Sequence, residues 1–334
     1  MPVLATAVPR GAVPGGRIDL VGSRLPLTDE GPPIVWVGGH RAHVVAASSS
    51  HVSVIVPTAC EGGPTPVRVD GVTNDGLVID VARVVTTGVH QVDSPVCLAD
   101  GTIWATQSGS RNEKSDAPLH RIAGDGTRES LTVAISNPTS LAVGPDGALF
   151  VSSRFEGTVY RVDEAGGVSV YASELGVCTG LAFGPDGALY VGDRAGTVWR
   201  VPPKGGGDGA GSLEVFAPLP SSVAAFHLAF GPDGHLYVTA PTLASRDVVY
   251  RISPDRRVDV WATGFGRPQG LTITSSGTAF VCDALAGSSG LYRMEIGDDT
   301  PKPELVVTAP QLVGVAVHPH GGLVLASSDT IWRL

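Results

Sequence analysis

"FHLAFGPDGHLYV", residues 226–238, has two near relatives in the chain, "TGLAFGPDGALYV" (179–191) and "TSLAVGPDGALFV" (139–151). Each reads as a short apolar strand, a Pro-Asp-Gly turn and a second apolar strand. Proline presets the turn and glycine takes the left-handed position that closes it. Weaker copies follow the same plan: "SPVCLADGTIWAT", "PQGLTITSSGTAFVCD" and "LVGVAVHPHGGLVLAS". The turn glycines, Gly101, Gly147, Gly187, Gly234, Gly277 and Gly321, recur at intervals of 40 to 47 residues. That period predicts a repeat of four-stranded sheets around an axis.

After each hairpin a third strand carries an aromatic or His residue, an arginine and an apolar residue, as in Tyr160-Arg161-Val162, Trp199-Arg200-Val201 and Trp332-Arg333-Leu334. The arginine recurs whatever the loop chemistry, so it reads as architectural, its stem on apolar surface and its head on a neighbour. A fourth strand such as "VSVYA" or "VDVWA" completes each unit. The last copy stops at Leu334 after its third strand, and "DVARVVTTG" (80–88) is the segment able to supply the fourth. The expected fold is all-β, with a six-bladed β-propeller over residues 83–334 closed by a strand from the linker region. Residues 1–82 lack the repeat. Their short alternating strands, among them "GRIDLVGS", "RAHVVAAS" and "HVSVIVP", predict a separate β-sandwich.

Composition narrows the function. The 334 residues are 43% hydrophobic and 16% charged, which excludes a disordered chain. A formal charge of −9 argues against a nucleic-acid partner, and no apolar run approaches a membrane span. No basic-then-apolar leader is visible, so a cytoplasmic location is expected. The cysteines, Cys60, Cys97, Cys178 and Cys282, are far apart and read as free thiols.

Antiparallel pairing sends the start of each inner strand and the end of each second strand to one face. Ligands are expected there, where loops from every unit meet. The first column at this mouth is Asp93, Thr139, Thr179, Phe226, Gln269 and Val313; the next is Ser94, Ser140, Gly180, His227, Gly270 and Gly314. Arg111, Arg154, Arg194, Arg246 and Arg267 come from five different loops, and Glu113, Glu156, Asp193, Asp247 and Asp283 lie among them. Guanidinium groups gathered on one face of an acidic protein suit a small anionic ligand. The same arginines also fit a solvated rim paired with those acids. Asp193 and Asp283 follow their strands directly, where an aspartate bonds turn backbone. Asp93 is the only carboxylate in the first column. His227 fits either a proton-transfer group or a channel-lining histidine held by backbone.

The words "AVPGGRIDLVGSRLP" and "VWVGGHRAHVVAASSSHVSVIVP" resemble the immunoglobulin-like IPT/TIG family, which implies a spacer or protein-interaction module over residues 1–82. "PTSLAVGPDGALFVSSRFEGTVYRV" resembles NHL repeats, and the six-blade plan over 89–334 resembles the senescence-marker-protein/gluconolactonase family. The NHL resemblance implies a non-catalytic binding or interaction scaffold. The other implies a lactone hydrolase with one divalent cation, often calcium, and places Asp93 of Asp93-Ser94-Pro95 as a metal ligand. In that reading Asp93 and His227 are catalytic. Arg154, Arg194, Arg267, Thr139, Thr179, Gln269, Glu156 and Asp193 would bind the small-molecule ligand. The later mouths hold Phe226 and Val313 where that family places further metal ligands, which puts the cation in doubt.

Overall fold

The computed structural model describes residues 1–27, 31–74, 76–108, 115–163, 165–205, 212–285 and 287–334. Arg111 and Glu113, expected as loop residues of the mouth, and residues 206–211 lie outside them. The described residues form strands and turns without a helix.

From residue 83 onward the described strands group into six four-stranded antiparallel units. Unit 2 shows the plan: Pro138–Val143, Leu149–Ser153, Thr158–Val162 and Val168–Ala172, paired in that order. Unit 1 opens with Val96–Cys97, unit 3 with Cys178–Phe183, unit 4 with His227–Phe230, unit 5 with Pro268–Ile273 and unit 6 with Gly314–Val317. These innermost strands neighbour one another in sequence order, and the first also touches the last, so they form a closed ring. The strand Arg83–Thr87 pairs with Thr330–Arg333 and completes unit 6, as its position before the repeat predicts.

The repeat words explain the local geometry. Gly147, Gly187 and Gly234 adopt φ of 80°, 74° and 77°, the left-handed turn conformation glycine enters without a Cβ clash. In units 2 and 3 the aspartate before the glycine does two things. Asp186 Oδ1 accepts the Ala188 amide at 3.2 Å, and its Oδ2 accepts the recurrent third-strand arginine, Arg200, at 2.7 and 2.9 Å. Asp146 repeats this with Ala148 and Arg161. In these two units the arginine is architectural, and its partner is the turn of its own unit. Between units, aromatic rings meet edge to face: Phe150 with Phe183, and Tyr190 with Phe230, each 4.9 Å between centroids.

Residues 1–82 have a core of their own, including Ile18, Leu20, Val35, Val52, Val54, Val67 and Ile79. Their strands include Val3–Val8, Arg17–Ser23, His40–Ala47, His51–Ile55, Gly63–Val69 and Val78–Val81. The two-residue strand Gly11–Ala12 joins this segment to the repeat. It runs parallel to Asp80–Val81 on one side and to Val307–Thr308 of unit 5 on the other. A Cβ on Gly11 would stand 2.7 Å from the Val306 carbonyl oxygen, so glycine permits the junction.

Asp186→Ala is expected to destabilise the protein by about 1 kcal/mol, because it removes a half-exposed ion pair and a turn hydrogen bond. Burial raises the Asp186 pKa, but the Arg200 hydrogen bond and the Ala188 amide outweigh it and leave the pKa below the usual value. The contribution is therefore present above the unfolded-state carboxylate pKa and lost as pH falls through the folded one. Thermal melts of both proteins from neutral to acid pH should converge at the acid end.

Candidate functional site

The second column at the mouth of the six inner strands is Ser94, Ser140, Gly180, His227, Gly270 and Gly314. The strands approach so closely that a Cβ on Gly314 would lie 2.5 Å from the Ser94 Cα, and one on Gly270 2.5 Å from the Gly314 Cα. A Cβ on Gly180 would lie 2.3 Å from the Phe226 carbonyl oxygen. Five small residues leave room at this level for one large side chain, and His227 is that side chain.

Units 1 and 4 stand opposite each other in the ring, and His227 reaches across it. Its Nδ1 hydrogen-bonds Asp93 Oδ1, with His227 2% and Asp93 3% exposed. The same carboxylate oxygen accepts the Ser94 amide at 2.5 Å, and the Gln91 amide group donates to the Asp93 carbonyl at 2.6 Å. An ionised carboxylate only accepts, so Nδ1 carries the proton and Nε2 of a neutral ring is left with its lone pair. Nε2 is buried and has no hydrogen-bond partner. A carboxylate that orients an imidazole with one free nitrogen is the arrangement required of a general base.

A cavity of about 490 Å³ reaches this pair. It runs from Asp93, Ser140 and His227 along the inner strands to Val143, Phe183, Ser275 and Val317, beside the Asp-Gly turns. The ligand face read from the sequence is the other one: none of Thr139, Thr179, Gln269, Arg154 or Arg194 lines this cavity.

The remaining candidates divide by what they touch. Thr179 accepts the Phe226 amide at 3.0 Å and donates to Gly192, clipping units 3 and 4 together. Thr139 is buried and donates weakly to the Asn137 carbonyl at 3.4 Å. Gln269 is half-buried, and its backbone carbonyl accepts Thr239 Oγ1. Asp193 accepts the amides of Val177 and Ala195. Asp283 accepts those of Gly266 and Arg267; burial pushes its pKa up and these amides partly offset the rise. Both aspartates therefore hold turns. Glu156 is exposed and accepts the Tyr160 hydroxyl at 2.7 Å. Arg267 and Arg246 are exposed, the latter donating to the Gly264 carbonyl.

Arg154 and Arg194 behave differently. Both are half-buried, and burial followed by the neighbouring Arg194 charge holds the Arg154 pKa below the ordinary guanidinium value. Arg194 donates to the Val223 carbonyl at 2.8 Å, while its Nε is buried without a partner. Among the described residues neither has a carboxylate within ion-pair distance. Two further groups at this end escaped the sequence reading. Gln91 Oε1 and Asn137 Oδ1 are buried without partners, each two residues before its mouth column. That shared offset was the available signal.

The implied cation does not fit these donors. Among the described residues no three His, Cys, Asp or Glu side chains gather as a metal site. Asp93, the one carboxylate of its column, already bonds His227 and the Ser94 amide through Oδ1, whereas calcium takes six to eight oxygens.

No protein-family model and no curated protein matches the chain. Solved structures do. A protein of unknown function from Bacteroides thetaiotaomicron aligns over 99% of this chain and 97% of its own, with TM-score 0.60 and 16% identity. A gluconolactonase from Xanthomonas campestris aligns over 75% of this chain and 89% of its own, with TM-score 0.60 and 16% identity. A calcium-binding regucalcin from Agrobacterium tumefaciens aligns over 75% and 92%, with TM-score 0.58 and 17% identity.

Gly314→Ala should lower stability by about 2 kcal/mol or more, since backbone on the neighbouring strand cannot yield as a side-chain end can. A denaturant midpoint unchanged by this substitution would refute the close packing of the ring. At identities this low the neighbours establish the fold alone: this chain contains a β-propeller of the kind found in gluconolactonases.

Proposed function

We propose that the six units form a six-bladed propeller over residues 83–334, that residues 1–82 form an immunoglobulin-like, IPT/TIG-like domain, and that the channel is the active centre of a small-molecule hydrolase of lactones or esters. The buried Asp93–His227 contact, with Nε2 unpaired, carries this reading. In the reaction His227 Nε2 takes a proton from water as its oxygen bonds to the substrate carbonyl carbon. The C–O bond to the leaving group then breaks, and the imidazolium returns the proton to the departing alkoxide. Asp93 holds the productive tautomer and offsets the positive charge on the ring. Arg154 and Arg194 lie outside this cavity, on the mouth face, where their guanidinium groups would suit a carboxylate or phosphate ligand in the binding reading. No step uses a metal, because the donors do not suit one.

The test is turnover of a panel of aldonolactones and small aryl esters, with and without chelator. Chelator-insensitive turnover is expected, with kcat falling about a hundredfold or more in His227→Gln. Asp93→Asn should also lower kcat while KM changes little, because the amide can hold the ring in the wrong tautomer. Absence of turnover in the wild type, together with saturable binding of small anions that Arg154→Ala abolishes, would establish the NHL-like binding reading instead.

A further inference from the structure

The turn aspartate that holds the recurrent arginine is missing from two units. Asp146 and Asp186 pair with Arg161 and Arg200; in unit 1 Arg121 lies 4.0 Å from Glu129, and in unit 4 Asp233 takes the Tyr237 hydroxyl and His235. The equivalent positions, four residues before the strand partner of each arginine, are Ser276 in unit 5 and His320 in unit 6. Ser276 bonds Thr274, and the His320 ring packs edge-on against His318. Arg293 turns to Glu295 at 2.8 Å, and Arg333 to the carbonyl oxygens of Gly321, Leu323 and Leu334.

Units 5 and 6 are also the two that border a groove of about 830 Å³ against the N-terminal segment. Arg10 enters it from the N-terminal side, and Arg83, Arg293 and Arg333 from the repeat, Arg83 on the strand that closes unit 6. Arg83 and Arg333 are direct cross-strand partners, a like-charge juxtaposition that costs stability unless something compensates it. A Cβ on Gly63 would stand 2.6 Å from Arg83 Nη2, so this glycine lets the guanidinium lie against the groove wall. Asp80 is the carboxylate in the lining, and Glu295 is taken by Arg293. Among the described residues Arg10, Arg83 and Arg333 have no ion-pair partner. Phe280, Val306, Val307 and Leu323 supply apolar wall.

We infer that this groove is a second binding site, for an amphipathic organic carboxylate. Its apolar body would lie on Phe280, Val306 and Leu323, and its carboxylate among Arg10, Arg83 and Arg333. The volume falls in the range of small-molecule pockets, and guanidinium groups pair bidentately with carboxylates. Occupancy would bridge the N-terminal segment, through Arg10, and the repeat, through Arg83, Arg293 and Arg333. The site is independent of the channel chemistry: none of its arginines lines the channel cavity.

The full chain titrated with 1-pyrenebutyrate, followed by fluorescence, should show saturable 1:1 binding, with the neutral analogue 1-pyrenebutanol at least about tenfold weaker. Arg83→Glu should weaken pyrenebutyrate by about tenfold or more. His320→Asp removes no arginine but restores the missing turn acceptor for Arg333. It should weaken binding several-fold while the melting temperature holds or rises, which a merely structural arginine cluster would not do. Ser276→Asp, expected to capture Arg293, serves if His320→Asp fails to fold. Equal affinity for pyrenebutyrate and pyrenebutanol, or wild-type affinity in a folded Arg83→Glu or turn-aspartate variant, overturns the inference.

Discussion

The close approach of the inner strands at the axis is the constraint from which the rest follows. Gly180, Gly270 and Gly314 are each packed against the backbone or side chains of the next unit, and none could carry a Cβ without moving it. Side chains around the ring are therefore restricted in total volume, not one by one. Because five of the six positions hold serine or glycine, the sixth can hold an imidazole that reaches the opposite wall. The Asp93–His227 contact is thus a property of the whole ring. Neither residue would find the other if a second large side chain stood beside them.

A second regularity is the pairing of the turn aspartate with the third-strand arginine in units 2 and 3. Asp186 closes its turn by accepting an amide and then anchors Arg200 on the third strand, so one carboxylate fixes three strands. Exposed pairs of this kind each contribute little stability. Their interest lies in the exceptions. Where Ser276 and His320 replace the aspartate, the arginines find other partners beside the groove that faces the N-terminal segment. A repeat makes such departures readable, because the expected partner is known from the sibling units.

The architecture was largely legible in the chain. The Asp-Gly turns, the third-strand arginine and the truncated last copy predict the hairpins, the unit order and the closing strand Arg83–Thr87. A backbone-bonding role for Asp193 and Asp283 was legible too, but of the amides they hold, Val177, Gly266 and Arg267 belong to the connection that enters the unit and only Ala195 follows its aspartate. The site was legible only in part. Asp93 and His227 stand out by residue type within their columns, but 134 residues separate them and no spacing rule links them. The face that carries the cavity was read from the loops, which are polar at the strand mouths. The space itself follows how far the inner-strand side chains recede toward the turns, and that depends on Leu, Val and Phe positions that look alike in sequence.

What the sequence determined by itself, then, is periodic: turn chemistry, strand order, the small residues of the axial ring and the arginine that each unit repeats. These are set by local backbone preference and by side-chain size, which every copy carries in its own residues. Only the tertiary structure decided the two features that are not periodic. One is that His227 spans the ring to Asp93, because six strands converge there and leave a single space. The other is that Arg10, Arg83, Arg293 and Arg333 meet around one groove, because the Gly11–Ala12 strand docks the N-terminal segment onto unit 5 beside the strand Arg83–Thr87 that closes unit 6. Both depend on distance through space between residues far apart in the chain, which closure of the ring alone establishes.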